Sequence, residues 1–162
     1  MVARLLLETR ILTVASPAYL ERHGQPRRPE ALVNHQCLRF RDPQTGHPFE
    51  WEFHRGRTVV PVATSGRILL TDVSSLLAAC LAGAGIAQVM ALGVQGHLGS
   101  GRLVELFPDW PGEVFPLYAV HRSRRHPAAK VRAFVEFCLE ITRSAAQRPS
   151  FELAHRRPDA LP

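Results

Sequence analysis

Lysine is almost missing from this sequence: nineteen of its 20 basic residues are arginine, and only Lys130 is lysine. Cysteine is scarce as well. Cys37, Cys80 and Cys138 lie far apart and form no CxxC pair. An odd number without a framework excludes a disulfide-stapled fold and points to a reducing compartment. No apolar run approaches the roughly 20 residues that span a bilayer as a helix. The apolar stretch at the amino end is broken by Arg4 and Glu8, with no long h-region after it, so the chain reads as cytoplasmic. Catalytic signatures are missing too. The eight histidines form neither HExxH nor HxxxH, and there is no GxSxG and no P-loop. Gly83-Ala84-Gly85 lacks the third glycine of a dinucleotide site and follows a helix, and Gly96 to Gly101 precedes a strand. An enzyme is not expected, nor is a metal or a cofactor.

What is present is an ordinary globular composition. With 46% hydrophobic and 21% charged residues, 162 residues suffice for one domain or two small lobes with a core. The net charge of +6 permits anion or nucleic-acid binding, but the charge is not clustered as a DNA-reading surface. Its densest run, Arg122, Arg124, Arg125 and His126 followed by Lys130 and Arg132, reads either as a solvated strand-to-helix junction or as a phosphate contact.

Periodicity then sets out the elements. Within 5–15, Ile11 to Ala15 form a strand candidate. Ser16-Pro17 start a short helix that ends before Gly24, since serine caps free N–H groups and proline loses nothing at the first helical position. A second short helix covers Glu30–Asn34, and Cys37–Phe40 is a strand. Phe49, Trp51 and Phe53 alternate with polar residues, the pattern of a half-buried strand rather than of a base-stacking platform. Thr58–Ser65 is a further strand, with Pro61 marking either an edge position or an irregularity. In Asp72–Leu81, Val73, Leu76, Leu77, Cys80 and Leu81 recur as one helical face, with Thr71 or Asp72 as cap. Strands are expected at Ile86–Met90, Arg102–Phe107 and Phe115–His121, and helices at Leu92–His97 and Pro127–Arg143. Residues 145–162 read as a disordered tail. Strands alternating with helices make this an α/β fold.

Several segments, in order, resemble the effector-binding domain of LysR-type transcriptional regulators. They are Val14-Ala15-Ser16-Pro17-Ala18-Tyr19-Leu20-Glu21-Arg22-His23-Gly24, Pro29-Glu30-Ala31-Leu32, His35-Gln36-Cys37-Leu38-Arg39-Phe40 and Leu81-Ala82-Gly83-Ala84-Gly85-Ile86-Ala87. Gly101-Arg102-Leu103-Val104, Pro108-Asp109-Trp110, Pro116-Leu117-Tyr118-Ala119-Val120 and Lys130-Val131-Arg132-Ala133-Phe134 continue the set. The similarity covers about 1–143. Family members commonly carry proline where Met90 stands, so the loop after that strand is expected to differ.

The resemblance implies a periplasmic-binding-protein-like (type 2) fold of two α/β lobes with a cleft for a small effector. On that basis 1–15 ends the first lobe and crosses over, 16–110 forms a complete second lobe, and 111–144 returns to a partial first lobe. The winged helix-turn-helix of such regulators would precede Met1, and no helix pair within the chain has a tight turn with a basic recognition face. Homo-oligomers are expected, with DNA reached only through that preceding module. The apolar faces of 115–121 and 127–143 would lack partners, leaving exposed apolar surface that favours dimerisation or poor solubility.

The candidate effector contacts are Ser16, Arg39, Phe40, Thr71 and Asp72, suited to a carboxylate or another polar metabolite. Ser16 either caps its helix or holds a carboxylate with the free N–H groups beside it. Arg39 either clamps a carboxylate or is a surface residue. Phe40 is core or ligand wall, Thr71 a donor, and Asp72 a cap or a contact. The alternative is an autonomous solute-binding or protein-interaction domain without gene regulation, and a third option is a basic nucleic-acid binder.

Overall fold

The computed structural model describes residues 2–110, 112–121 and 129–146. The basic run at 122–126, the expected start of the last helix at 127 and the tail from 147 lie outside the described residues. The chain divides into two compact units: Arg10–Val114, and a second that joins Met1–Thr9 to the chain from Phe115 onward.

The first unit is a sheet covered on both faces. Its strands are β1 (Val2–Ala15, shared with the second unit), β2 (Cys37–Phe40), β5 (Leu69–Leu70), β6 (Ile86–Met90) and β7 (Val104–Leu106), in the order β5-β2-β6-β1-β7. β2 runs parallel to β5 and β6, and β1 is antiparallel to β6 and β7. Alternation along each strand sorts the side chains between two cores. Leu12, Val14, Leu38, Ala87 and Val89 meet Leu76 and Cys80 of helix α2 (Val73–Leu81). Ala15, Cys37, Ile86 and Leu106 meet Tyr19 of helix α1 (Pro17–His23) and Leu32 of a 3₁₀ turn, Pro29–Asn34. Onto that second face folds a hairpin of β3 (Trp51–Arg55) and β4 (Thr58–Val62), which brings Trp51, Phe53 and Val62 into the core. Phe107 closes β7 in the left-handed region, at φ 57°, and meets Phe53 edge-on at a centroid distance of 5.5 Å. A short helix α3 (Gln95–Gly99) precedes β7.

In the second unit, β8 (Val114–His121) pairs with β1, and helix α4 (Ala129–Ala146) buries Val135 and sets the Thr142 hydroxyl 3.3 Å from the Leu6 carbonyl. The exposed apolar surface expected here is present: Leu117, Tyr118 and Val120 of β8 and Phe134, Phe137 and Ile141 of α4 are all open to solvent.

Several boundaries differ from expectation. β1 extends back to Val2 because pairing with β8 sustains it where apolar alternation does not. β5 was not expected, and Thr58–Ser65 ends at Val62, where its pairing with β3 ends. Phe49 precedes β3, half exposed and stacked on Phe40 at 6.2 Å rather than buried with Trp51 and Phe53. Val73, expected on the buried face of α2, sits in its first turn and is exposed. Residues 145 and 146 are helical rather than part of a tail. Among the described residues no helix is long and apolar enough to cross a membrane.

Candidate functional site

Because β2, β5 and β6 are parallel, their carboxyl ends share one edge of the sheet, occupied by Phe40, Leu70 and Met90. Open α/β sheets bind ligands at this edge, where loops and helix starts converge. The chain passes from Leu70 through Thr71 and Asp72 directly into α2. The Arg41 N–H donates to the Leu70 carbonyl at 2.8 Å, which holds the segment after Phe40 against the end of β5.

The structure therefore brings Phe40, Thr71 and Asp72 together. Phe40 is half-buried, with its inner side on the α2 core and its ring against Phe49. Thr71 is exposed, and its hydroxyl has no hydrogen bond within the described residues. Asp72 is the N-cap of α2, its carboxylate accepting from the Ser75 N–H at 2.8 Å. Hydrogen bonds from Ser75 lower its pKa below the ordinary aspartate value. That charge is engaged by the helix terminus, where it takes up the Ser74 and Ser75 N–H groups, and the Leu76 N–H donates to the Asp72 carbonyl at 3.2 Å.

Ser16 and Arg39 lie elsewhere. Val14, Ala87 and Leu38 stand abreast in the register, so Ser16 and Phe40 diverge in opposite strand directions. Four residues at ~3.3 Å each separate them by about 13 Å along the strands. Ser16 is buried and caps α1, its hydroxyl accepting from the Tyr19 N–H at 3.4 Å. Arg39 points to the hairpin face, opposite Phe40, and its Nη2 donates to the Gly66 carbonyl at 3.1 Å. Its Nε is buried without a partner, the one such side-chain nitrogen or oxygen among the described residues. The five residues are thus one cluster of three and two separate positions. Sequence reasoning did not include Met90 at this edge, since only strand register places it there. The two buried thiols are held protonated: burial raises Cys37 to about 12 and Cys80 to about 11.

The carboxyl ends of the parallel strands and the start of α2 share one edge of this mixed sheet, the place where open α/β sheets bind ligands. The family model for the LysR substrate binding domain matches residues 1–143. The HTH-type transcriptional regulator YcaN of Escherichia coli is 34% identical over 142 residues, which are 86% of this chain and 46% of that protein. The regulatory domain of CrgA from Neisseria meningitidis superposes with a TM-score of 0.75 at 29% identity, covering 87% of this chain and 68% of that one. The full-length virulence activator AphB of Vibrio cholerae gives 0.74 at 28% identity, over 88% and 48%. The chain belongs to the LysR substrate-binding-domain family and has its periplasmic-binding-protein-like type 2 fold. It spans about half the length of the curated relatives it matches, which are transcriptional regulators.

Proposed function

We propose that this chain is the effector-sensing part of a LysR-type transcription regulator, and that a small polar metabolite with a carboxylate binds at the Phe40–Thr71–Met90 edge. The observation that carries this is the exposed Thr71 hydroxyl at the start of α2, on the same edge as the Phe40 ring at the carboxyl ends of the parallel strands. Asp72 keeps α2 starting at this point, which holds Thr71 at the edge. Arg39, from the hairpin side, has its unpartnered Nε–H to donate to the anion.

Sensing in this proposal is coupling. The effector favours one arrangement of a cytoplasmic homo-oligomer, and that arrangement differs in its hold on DNA through a winged helix-turn-helix preceding this domain. The chain catalyses nothing in this scheme and needs no metal or cofactor.

The test is a thermal-shift screen with small aliphatic and aromatic carboxylates, followed by calorimetric titration of any hit. A saturable stabilisation that Thr71→Val weakens at least severalfold supports the proposal. A hit indifferent to Thr71→Val, Phe40→Ala and Arg39→Met removes the site.

A further inference from the structure

We propose that Tyr19, His35 and Gln36 form a proton-sensitive latch that fastens α1 to the start of β2, closed while His35 is neutral and released when it is protonated. Tyr19 is 1% exposed. Its hydroxyl accepts the Gln36 N–H at 3.0 Å and lies 3.2 Å from His35 Nδ1. In the proposed latch the neutral ring carries its proton on Nε2, so that Nδ1 is bare and accepts the one proton the phenol can donate. An imidazolium carries protons on both nitrogens. Protonation therefore turns Nδ1 from acceptor to donor and leaves the phenolic proton without its partner in a buried place.

The surroundings favour the neutral ring. Desolvation, and then the charge of His23, lower the His35 pKa from its ordinary value, and no carboxylate contributes to that shift. The His23 ring stacks on Tyr19 at 4.6 Å. Arg22, from the same helix, directs its guanidinium to the Gly83 carbonyl at 2.7 Å. The Cys37 thiol of β2 stays uncharged beside the Leu32 carbonyl.

Gln36 makes the latch consequential. Its carbonyl accepts from the Ile86 N–H at 2.9 Å, and its Oε1 accepts from the Arg67 N–H at 3.3 Å. One residue thereby joins the starts of β2 and β6 to the approach to β5. Losing the Tyr19 contact loosens that junction and the α1 corner together. The latch lies at the Ser16 end of the sheet, away from Phe40, and does not depend on the effector proposal.

The native state prefers neutral His35, so the latch is fully closed above the ordinary histidine pKa. It weakens as pH falls from that value through the lowered one. Between the two values the opening constant grows by up to about tenfold per pH unit.

The experiment is an NMR titration of the His35 ring, with hydrogen exchange at the Gln36 amide in the same chain at about pH 7.5 and about pH 5.5. We expect a His35 midpoint below that of free histidine, and a Gln36 protection factor that falls with acid after correction for intrinsic exchange. His35→Asn places an acceptor near the Nδ1 position without titrating, and should flatten the pH dependence of protection. Tyr19→Phe should move the His35 midpoint upward. A midpoint at or above that of free histidine overturns the proposal, as does Gln36 protection unchanged across this range. Where His35→Asn does not fold, these two wild-type measurements decide alone.

Discussion

Gly66→Ala should be among the most damaging single-methyl substitutions in the Arg10–Val114 unit, and its cost can be worked from the coordinates. A Cβ at Gly66 would lie 2.0 Å from the Cys37 carbonyl oxygen and 3.0 Å from its carbon. Carbon–oxygen contacts settle near ~3.3 Å even when attractive, so the backbone must part by more than about 1 Å. The obstacle is main chain inside a paired strand, not the far end of a flexible side chain, since Cys37 is in register with Ile86. Overpacking of this kind costs about 1–3 kcal/mol. The displaced Gly66 carbonyl also loses the Arg39 Nη2 donor, a bond to a charged group worth about 1.5 kcal/mol at a partly exposed site. The sum is about 2.5–4.5 kcal/mol. For a domain near a hundred residues this lowers the melting temperature by roughly 10–35 °C. The control is Gly96→Ala in α3, where a Cβ meets nothing within 4 Å. There the helix gains up to about 1 kcal/mol from the same change. Urea unfolding followed by circular dichroism, with slopes compared to confirm two-state behaviour, measures both. A Gly66→Ala midpoint equal to that of wild type or of Gly96→Ala would refute the reasoning.

Three further outcomes follow from the same structure. Under native conditions a thiol reagent should modify the partly exposed Cys138 first, and Cys37 and Cys80 only at the rate of unfolding; three equally fast thiols would contradict the burial that raises those two to about 12 and about 11. Asp72→Ala should lower the melting temperature at neutral pH by removing the cap of α2. Its folded pKa is depressed, so that contribution is present above the ordinary aspartate pKa and lost as pH falls through the lowered value; wild type and variant should converge in acid, and a difference constant with pH would exclude the capping account. Phe137→Lys, alone or with Phe134→Lys, should shift the concentration-dependent mass seen by light scattering toward monomer, because both phenylalanines are more than half exposed on α4; an unchanged mass would place self-association elsewhere.

The parts of the fold legible in the sequence are those written in local periodicity and caps. Ser16-Pro17 starts α1 with the predicted cap, and Asp72 caps α2 as its position before an apolar stripe implies. Trp51 and Phe53 are buried by the hairpin, as their alternation requires. What was not legible depends on pairing between distant segments. β5 is two leucines long, too short for any period, and exists because β2 lies beside it. The first half of β1 carries Arg4 and Glu8 and becomes a strand through β8. The candidate site divides in the same way. Thr71 and Asp72 are neighbours in the chain, and joining Phe40 to them needed only the idea of a shared strand edge. That Ser16 lies at the other end of the sheet, and that Arg39 turns to the opposite face from Phe40, follow from register and alternation, which no local pattern states. The Tyr19–His35 contact spans sixteen residues and two turns, with no motif to announce it.

If this LysR-family chain receives its effector at the carboxyl edge of the parallel strands, the binding must register in the backbone amides of that edge. Backbone amide shifts, recorded while a thermal-shift hit from the carboxylate panel is titrated in, test it most directly. Saturable changes centred on Phe40, Leu70 to Ser74 and Met90, reduced in Thr71→Val, are expected. Changes centred instead on Ser16, Gly83 and Ile86, at the opposite end of the sheet, would contradict it.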